Sequence, residues 1–192
     1  MTNAFLYGIN YTCSINILRV SLIGVIILGK GLIKVFCGEG QGKTTASLGH
    51  ALVCAGMGKK VIVVQFLKGK QAGKLEYFTR LEPEIKVFRF EKEDEHYVDL
   101  CKEGQEEEVM NILNGINFAK KVLITEECDL LVLDEILGLI DLNIITLEDV
   151  LKLIEVKDEE VELILTGQNM PDALYSYVDY VCMLKTMKNT MP

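Results

Sequence analysis

Tryptophan is absent from the 192 residues, proline occurs three times and histidine twice. Three prolines exclude a proline-rich scaffold. The two histidines, His50 and His96, are far apart and leave too few imidazoles for a histidine metal centre or a Ser/His/Asp triad. The six cysteines (Cys13, Cys37, Cys54, Cys101, Cys128 and Cys182) form no CxxC pair, which argues against a zinc knuckle. A chain with 49% hydrophobic residues needs no disulfide framework, so these thiols are expected to be reduced and packed as small apolar side chains, in a cytoplasmic protein. Basic charge is scarce too: 20 Lys and Arg against 28 Asp and Glu leave a formal charge of −8. That excludes a surface built to coat nucleic acid or anionic lipid. The same composition excludes a disordered chain and suits one domain.

No apolar run is long enough to cross a bilayer. Ile15 to Leu28 reads INILRVSLIGVIIL, which is interrupted by Arg19 and is shorter than the roughly 20 residues a spanning helix needs. It does not read as a secretory signal, because Met1 to Leu18 carry no Lys or Arg and Gly29-Lys30-Gly31 is no small-residue cleavage site. Residues 1–29 are therefore read as an N-terminal extension, either an early assigned start or a short membrane-touching or self-packing segment. The working domain is expected over 30–192, with no stable membrane insertion.

From Gly31 onward strand and helix patterns alternate. Leu32 to Cys37 is a β-rich run, Gly38 to Gly42 breaks it, and Lys43 to Met57 has helical composition with an apolar face. Val61 to Phe66 and Leu130 to Glu135 are nearly continuous apolar runs, as in a parallel sheet covered on both faces. Ile85–Phe90, Val161–Leu165 and Tyr180–Leu184 complete the predicted strands. A helix is expected to follow the acidic stretch Glu91–Glu108 and run to about Lys121, with that stretch a solvated face. Thr146 and Asp149 read as a helix cap, and Pro171 as the start of a short helix. This order predicts an α/β fold with a mostly parallel sheet between helical layers.

The chemistry is carried by Gly38-Glu39-Gly40-Gln41-Gly42-Lys43-Thr44-Thr45, placed between a strand and a helix. Glycines let the backbone bend and present N–H groups, and the helix start adds its own, which is how a phosphate loop binds anions. Lys43 adds a point charge, and the Thr44 hydroxyl is placed to reach Mg²⁺. The strict pattern has glycine where this chain has Cys37, so the loop is a variant. A second element is Asp134-Glu135 after four apolar residues, the strand-plus-acid arrangement that supports a metal beside such a loop.

These residues resemble the phosphate-loop ATP:corrinoid adenosyltransferases over roughly Lys30 to Lys188. The resemblance rests on Gly38–Thr45, Val63-Val64-Gln65-Phe66-Leu67-Lys68-Gly69, Leu131-Val132-Leu133-Asp134-Glu135 and Leu165-Thr166-Gly167 followed by Asn169-Met170-Pro171. Gln-Phe-x-Lys-Gly is its most specific part.

The resemblance implies a three-layer RecA-like P-loop NTPase fold. It also implies transfer of the 5′-deoxyadenosyl group of ATP to reduced cobalt, in cob(I)alamin or cob(I)yrinic acid a,c-diamide, with release of triphosphate. Lys43 and the loop N–H groups would neutralise triphosphate, and Thr44 and Glu135 would hold Mg²⁺ (or Mn²⁺) with Asp134 in support. The nucleotide would lie in the loop in the sense opposite to ordinary phosphate-loop enzymes. A homodimer is a further expectation.

Several positions depart from the family pattern. Glu39 stands where Asn is common, Gln41 where Lys is common, and Gln168 where many relatives have Arg. With no tryptophan to face a corrinoid, Phe88 and Phe90 are read as substitutes for it or as core residues. A RecA-like ATPase or small-molecule kinase, and a nucleotide-binding relative that has lost catalysis, remain open readings of the same residues.

Overall fold

A computed structural model describes residues 31–67, 80–90 and 97–188. The segments 1–30, 68–79, 91–96 and 189–192 lie outside the described residues, and with them the N-terminal extension, Cys13, His96, and Lys68-Gly69 of the Gln-Phe-x-Lys-Gly segment.

Six strands form one parallel sheet: β1 (Ile33–Cys37), β2 (Val61–Gln65), β3 (Ile85–Arg89), β4 (Leu130–Asp134), β5 (Glu162–Thr166) and β6 (Tyr180–Met183). Their order across the sheet is β3-β2-β4-β5-β1-β6. All five pairings are parallel, so the sheet is wholly parallel among the described residues. The central strands read as continuous apolar runs because both their faces are covered. Ala51 and Cys54 of α1 (Lys43–Gly56) pack on Val61, Val63, Leu130, Val132 and Ile164 on one face. Ile62, Val64, Leu131, Leu133, Leu163 and Leu165 point to the other face, into the larger core. That core is closed by α2 (Lys102–Thr125), α3 (Ile136–Asp141) and α4 (Leu147–Glu155). The architecture is thus three layers, as expected.

Local chemistry accounts for the elements. In α2, Ile112, Gly115, Ala119, Val122 and Leu123 are buried, the three-and-four spacing of a helix with one covered face. Gly115 permits the approach of Phe66 and Phe90, since a Cβ there would lie 2.8 Å from the Phe90 ring. Thr146 and Asp149 form the expected capping box at α4, with the Thr146 N–H donating to Asp149 Oδ2 at 3.0 Å. The helix expected to stop near Lys121 runs to Thr125.

Two expectations are corrected. Glu108 is buried at 4% exposure, so one member of the acidic stretch faces inward rather than to solvent. Cys101 is exposed, because it precedes α2 at the surface rather than packing in the core. Phe88 and Phe90 flank the Phe118 ring, with centroids 4.7 and 5.6 Å away, and both pack against the core. The reading of these two as core residues holds.

Candidate active site

The phosphate loop joins β1 to α1 at the C-terminal edge of the sheet. Gly38 and Gly42 have positive φ values of 109° and 102°, a region that side chains with a Cβ rarely adopt. A Cβ on Gly38 would lie 2.3 Å from the Leu184 carbonyl oxygen, and one on Gly40 2.7 Å from it. The chain leaving β6 presses directly on the loop, so the glycines are required on the spot. The Gly38 N–H donates to the Gln168 carbonyl at 2.8 Å and the Gly40 N–H to the Leu184 carbonyl at 2.9 Å. These two loop N–H groups therefore hold the loop to its neighbours. Gly42 caps α1 without a side-chain bond, leaving the first-turn N–H groups directed at the loop.

Lys43 folds its ammonium over this loop, donating to the carbonyls of Gly38 at 2.7 Å and Gly40 at 3.0 Å. Glu39 and Gln41 are exposed, at the solvent edge of the loop. Thr44, one residue on, points the other way and donates to Asp134 Oδ1 at 3.0 Å.

Asp134 is fully buried at the end of β4. Its Oδ1 also accepts from the Thr166 hydroxyl at 2.7 Å, and its Oδ2 from Gln65 Nε2 at 3.0 Å. Parallel register places Gln65 directly beside Asp134. Gln65 Oε1 in turn accepts from Arg89 Nε at 2.9 Å. A chain of polar groups therefore runs from the third β-strand to the helix start. The Glu135 N–H donates to Thr166 Oγ1 at 2.8 Å. Glu135 itself sits in the left-handed region at φ 65°, as the N-cap of α3.

The donor set suits a small hard cation. Mg²⁺ prefers one or two carboxylates plus phosphate and water oxygens. Glu135 is half-buried and offers a carboxylate, and the Thr44 hydroxyl keeps acceptor capacity after donating to Asp134. Asp134 spends both oxygens on hydrogen bonds, which fits an organising role rather than direct ligation.

The sequence did not single out a second polar cluster, on the α1 face of the sheet. Glu162 is fully buried and its Oε1 lies 2.6 Å from Lys34 Nζ and 2.8 Å from His50 Nε2. Burial pushes the Glu162 carboxyl up, but hydrogen bonds from His50 and Lys34 outweigh it and hold the carboxyl below its usual range. Cys54 completes a group whose ligand atoms lie within 4.8 Å of one another. Burial, with the Glu162 charge adding to it, pushes the Cys54 thiol up to about 11. The Lys34 ammonium already supplies this cluster's cation, and the cluster ties β1, α1 and β5 together beneath the loop. Its only sequence trace is two charged residues inside apolar strands.

Fold and site together define a phosphate-loop nucleotide-binding protein of the RecA-like class. A KaiC-like protein from the hyperthermophilic archaeon Pyrococcus horikoshii OT3 shares the fold at a TM-score of 0.52 and 21% identity, over 84% of this chain and 76% of that one. The chain belongs to the family described as ATP:corrinoid adenosyltransferase BtuR/CobO/CobP, whose profile matches residues 29–192. It is 29% identical over 160 residues to the corrinoid adenosyltransferase of Escherichia coli K12, covering 83% of this chain and 79% of that protein. The corrinoid adenosyltransferase CobA of Salmonella typhimurium LT2 is similar to the same degree, at 29% identity and the same coverage.

Proposed function

We propose that this protein moves the 5′-deoxyadenosyl group of ATP onto the reduced cobalt of a corrinoid and releases inorganic triphosphate. The observation that carries the site assignment is the pairing of Lys43 over the loop carbonyls with Thr44 tied to Asp134.

The reduced corrinoid is itself the nucleophile, and it attacks the ribose 5′ carbon as the bond to triphosphate breaks. The protein then needs no histidine or serine base. It has to aim the 5′ carbon and stabilise the charge of the leaving group. Lys43 and the first-turn N–H groups of α1 would neutralise triphosphate. Asp134 orients Thr44 and, through Thr166, the backbone of Glu135. Mg²⁺ bound at Thr44 and Glu135 would supply further neutralisation of the departing triphosphate. Holding the leaving group in the loop requires the adenosyl end to point away from it.

The domain assigned to this work is 30–192. Deleting Met1 to Leu28 is expected to leave a folded domain, because the first core strand begins at Ile33. Loss of ATP affinity or aggregation of the shortened protein would contradict this.

The reaction is tested by incubating the protein and MgATP with and without chemically reduced corrinoid. Corrinoid-dependent triphosphate is the expected product. Phosphate released without corrinoid, or ATP binding with neither product, would overturn the reading.

A further inference from the structure

The strand order separates two sides of the phosphate loop. Asp134 and Thr166 lie to one side of β1, on β4 and β5, and β6 lies to the other. Between the chain leaving β6 and the segment that follows β5 is a cavity of about 470 Å³ that begins at the loop itself and includes Glu39, Met170, Asp172, Tyr175, Met183 and Lys185 in its wall. Its size falls within the range of about 300–1,000 Å³ for small-molecule sites. Tyr175 and Met183 are 49% and 67% exposed, an aromatic ring and a thioether left uncovered beside the loop.

A phosphate loop used in the ordinary sense cradles the α- and β-phosphates on its N–H groups, while its lysine reaches the β- and γ-phosphates. The terminal phosphate then lies toward Thr44, Asp134 and Glu135. The nucleoside must leave the loop on the side away from Asp134, and that is the side of the cavity. The resemblance to the adenosyltransferases implies the opposite sense for the transfer reaction.

We propose that this cavity is a second nucleoside subsite. It takes the purine nucleoside of a di- or triphosphate bound in the ordinary sense, a dead-end orientation that competes with the productive one. The inference rests on the phosphate-loop reading of the site. The Tyr175 ring and the thioethers of Met170 and Met183 offer a flat apolar bed for a purine. The carboxylates of Glu39 and Asp172 accept hydrogen bonds from an exocyclic amine and ribose hydroxyls.

The test uses ADP, which cannot donate an adenosyl group with triphosphate as leaving group, and inorganic diphosphate as the probe without a nucleoside. Loss of base stacking on an aromatic side chain weakens binding by about tenfold or more. Tyr175→Ala is therefore expected to lower ADP affinity about tenfold and leave diphosphate affinity unchanged, with Tyr175→Phe restoring ADP binding. Met183→Glu, at an exposed position, is expected to act in the same direction. In the transfer assay Tyr175→Ala should weaken inhibition by ADP with kcat unchanged. ADP affinity indifferent to both Tyr175→Ala and Met183→Glu would overturn the proposal, as would an equal loss of diphosphate affinity. A protein that binds ADP through Tyr175 yet adenosylates no corrinoid contradicts the transfer reading alone. One that adenosylates corrinoid with ADP binding indifferent to both variants contradicts the second subsite alone.

Discussion

The Thr44 hydroxyl donates to Asp134 Oδ1 across 3.0 Å, joining the first turn of α1 to the end of β4. Ninety residues of chain separate the two, yet the nucleotide site is assembled on this bond. Thr166 adds a second hydrogen bond to Oδ1, and Gln65 donates to Oδ2. Asp134→Asn should therefore keep an oxygen for the two hydroxyls but turn an amide N–H toward Gln65 Nε2. Flipping Gln65 would pass the conflict to Arg89, which donates to Gln65 Oε1 at 2.9 Å. The expected cost is about 1–3 kcal/mol, read as a fall in melting temperature together with weaker ATP binding. An unchanged melting temperature would mean that the network tolerates the extra donor.

Lys43→Ala removes a charged donor from the loop. A charge-assisted bond to triphosphate contributes about 1.5–3 kcal/mol, so kcat/KM should fall about 10–100-fold. Near wild-type turnover would sink the assignment of this loop.

Glu135→Gln keeps the size of the side chain and loses its charge. Because Mg²⁺ prefers anionic oxygen, the midpoint of the Mg²⁺ titration should rise, with nucleotide binding measured without metal little changed. If the midpoint stays where it was, Glu135 does not hold the metal.

The loop and its two flanking elements were legible in the sequence because three signals coincide there. An apolar run at Ile33–Cys37 stops, glycines follow, and helical spacing begins at Lys43. Asp134 was legible as an acid closing an apolar run. α3 was not anticipated, since Ile136 to Asp141 continues the apolar run of β4 and the break between them is a single left-handed residue, Glu135. The Lys34–Glu162–His50 cluster was hidden for a different reason. His50 and Glu162 are 112 residues apart, and only the pairing of β5 with β1 and the packing of α1 across them bring the cluster together. The full hydrogen-bonding of Asp134 is likewise a product of strand register, with Gln65 set beside it by the β2–β4 pairing.

Stability should depend on pH through Glu162. Its folded carboxyl lies below the ordinary value of 4.5, so the folded state favours the charged form. The resulting stabilisation is present above pH 4.5 and is lost as the pH falls through the lower folded value. Glu162→Gln should therefore lower the melting temperature most at neutral pH, at a cost of about 1–3 kcal/mol. The difference from the unsubstituted protein should shrink on acidification below that value. A difference that stays constant as the pH falls through the folded value would contradict the charged cluster.

The direct test of adenosyl transfer follows the ribose carbon. ATP carrying ¹³C at the 5′ position is incubated with Mg²⁺, chemically reduced corrinoid and the protein, and the products are read by ¹³C and ³¹P NMR. The account predicts that the label appears in a carbon–cobalt bond, with one inorganic triphosphate formed for each adenosylated corrinoid. Label retained in ADP, with phosphate released whether or not corrinoid is present, would contradict it.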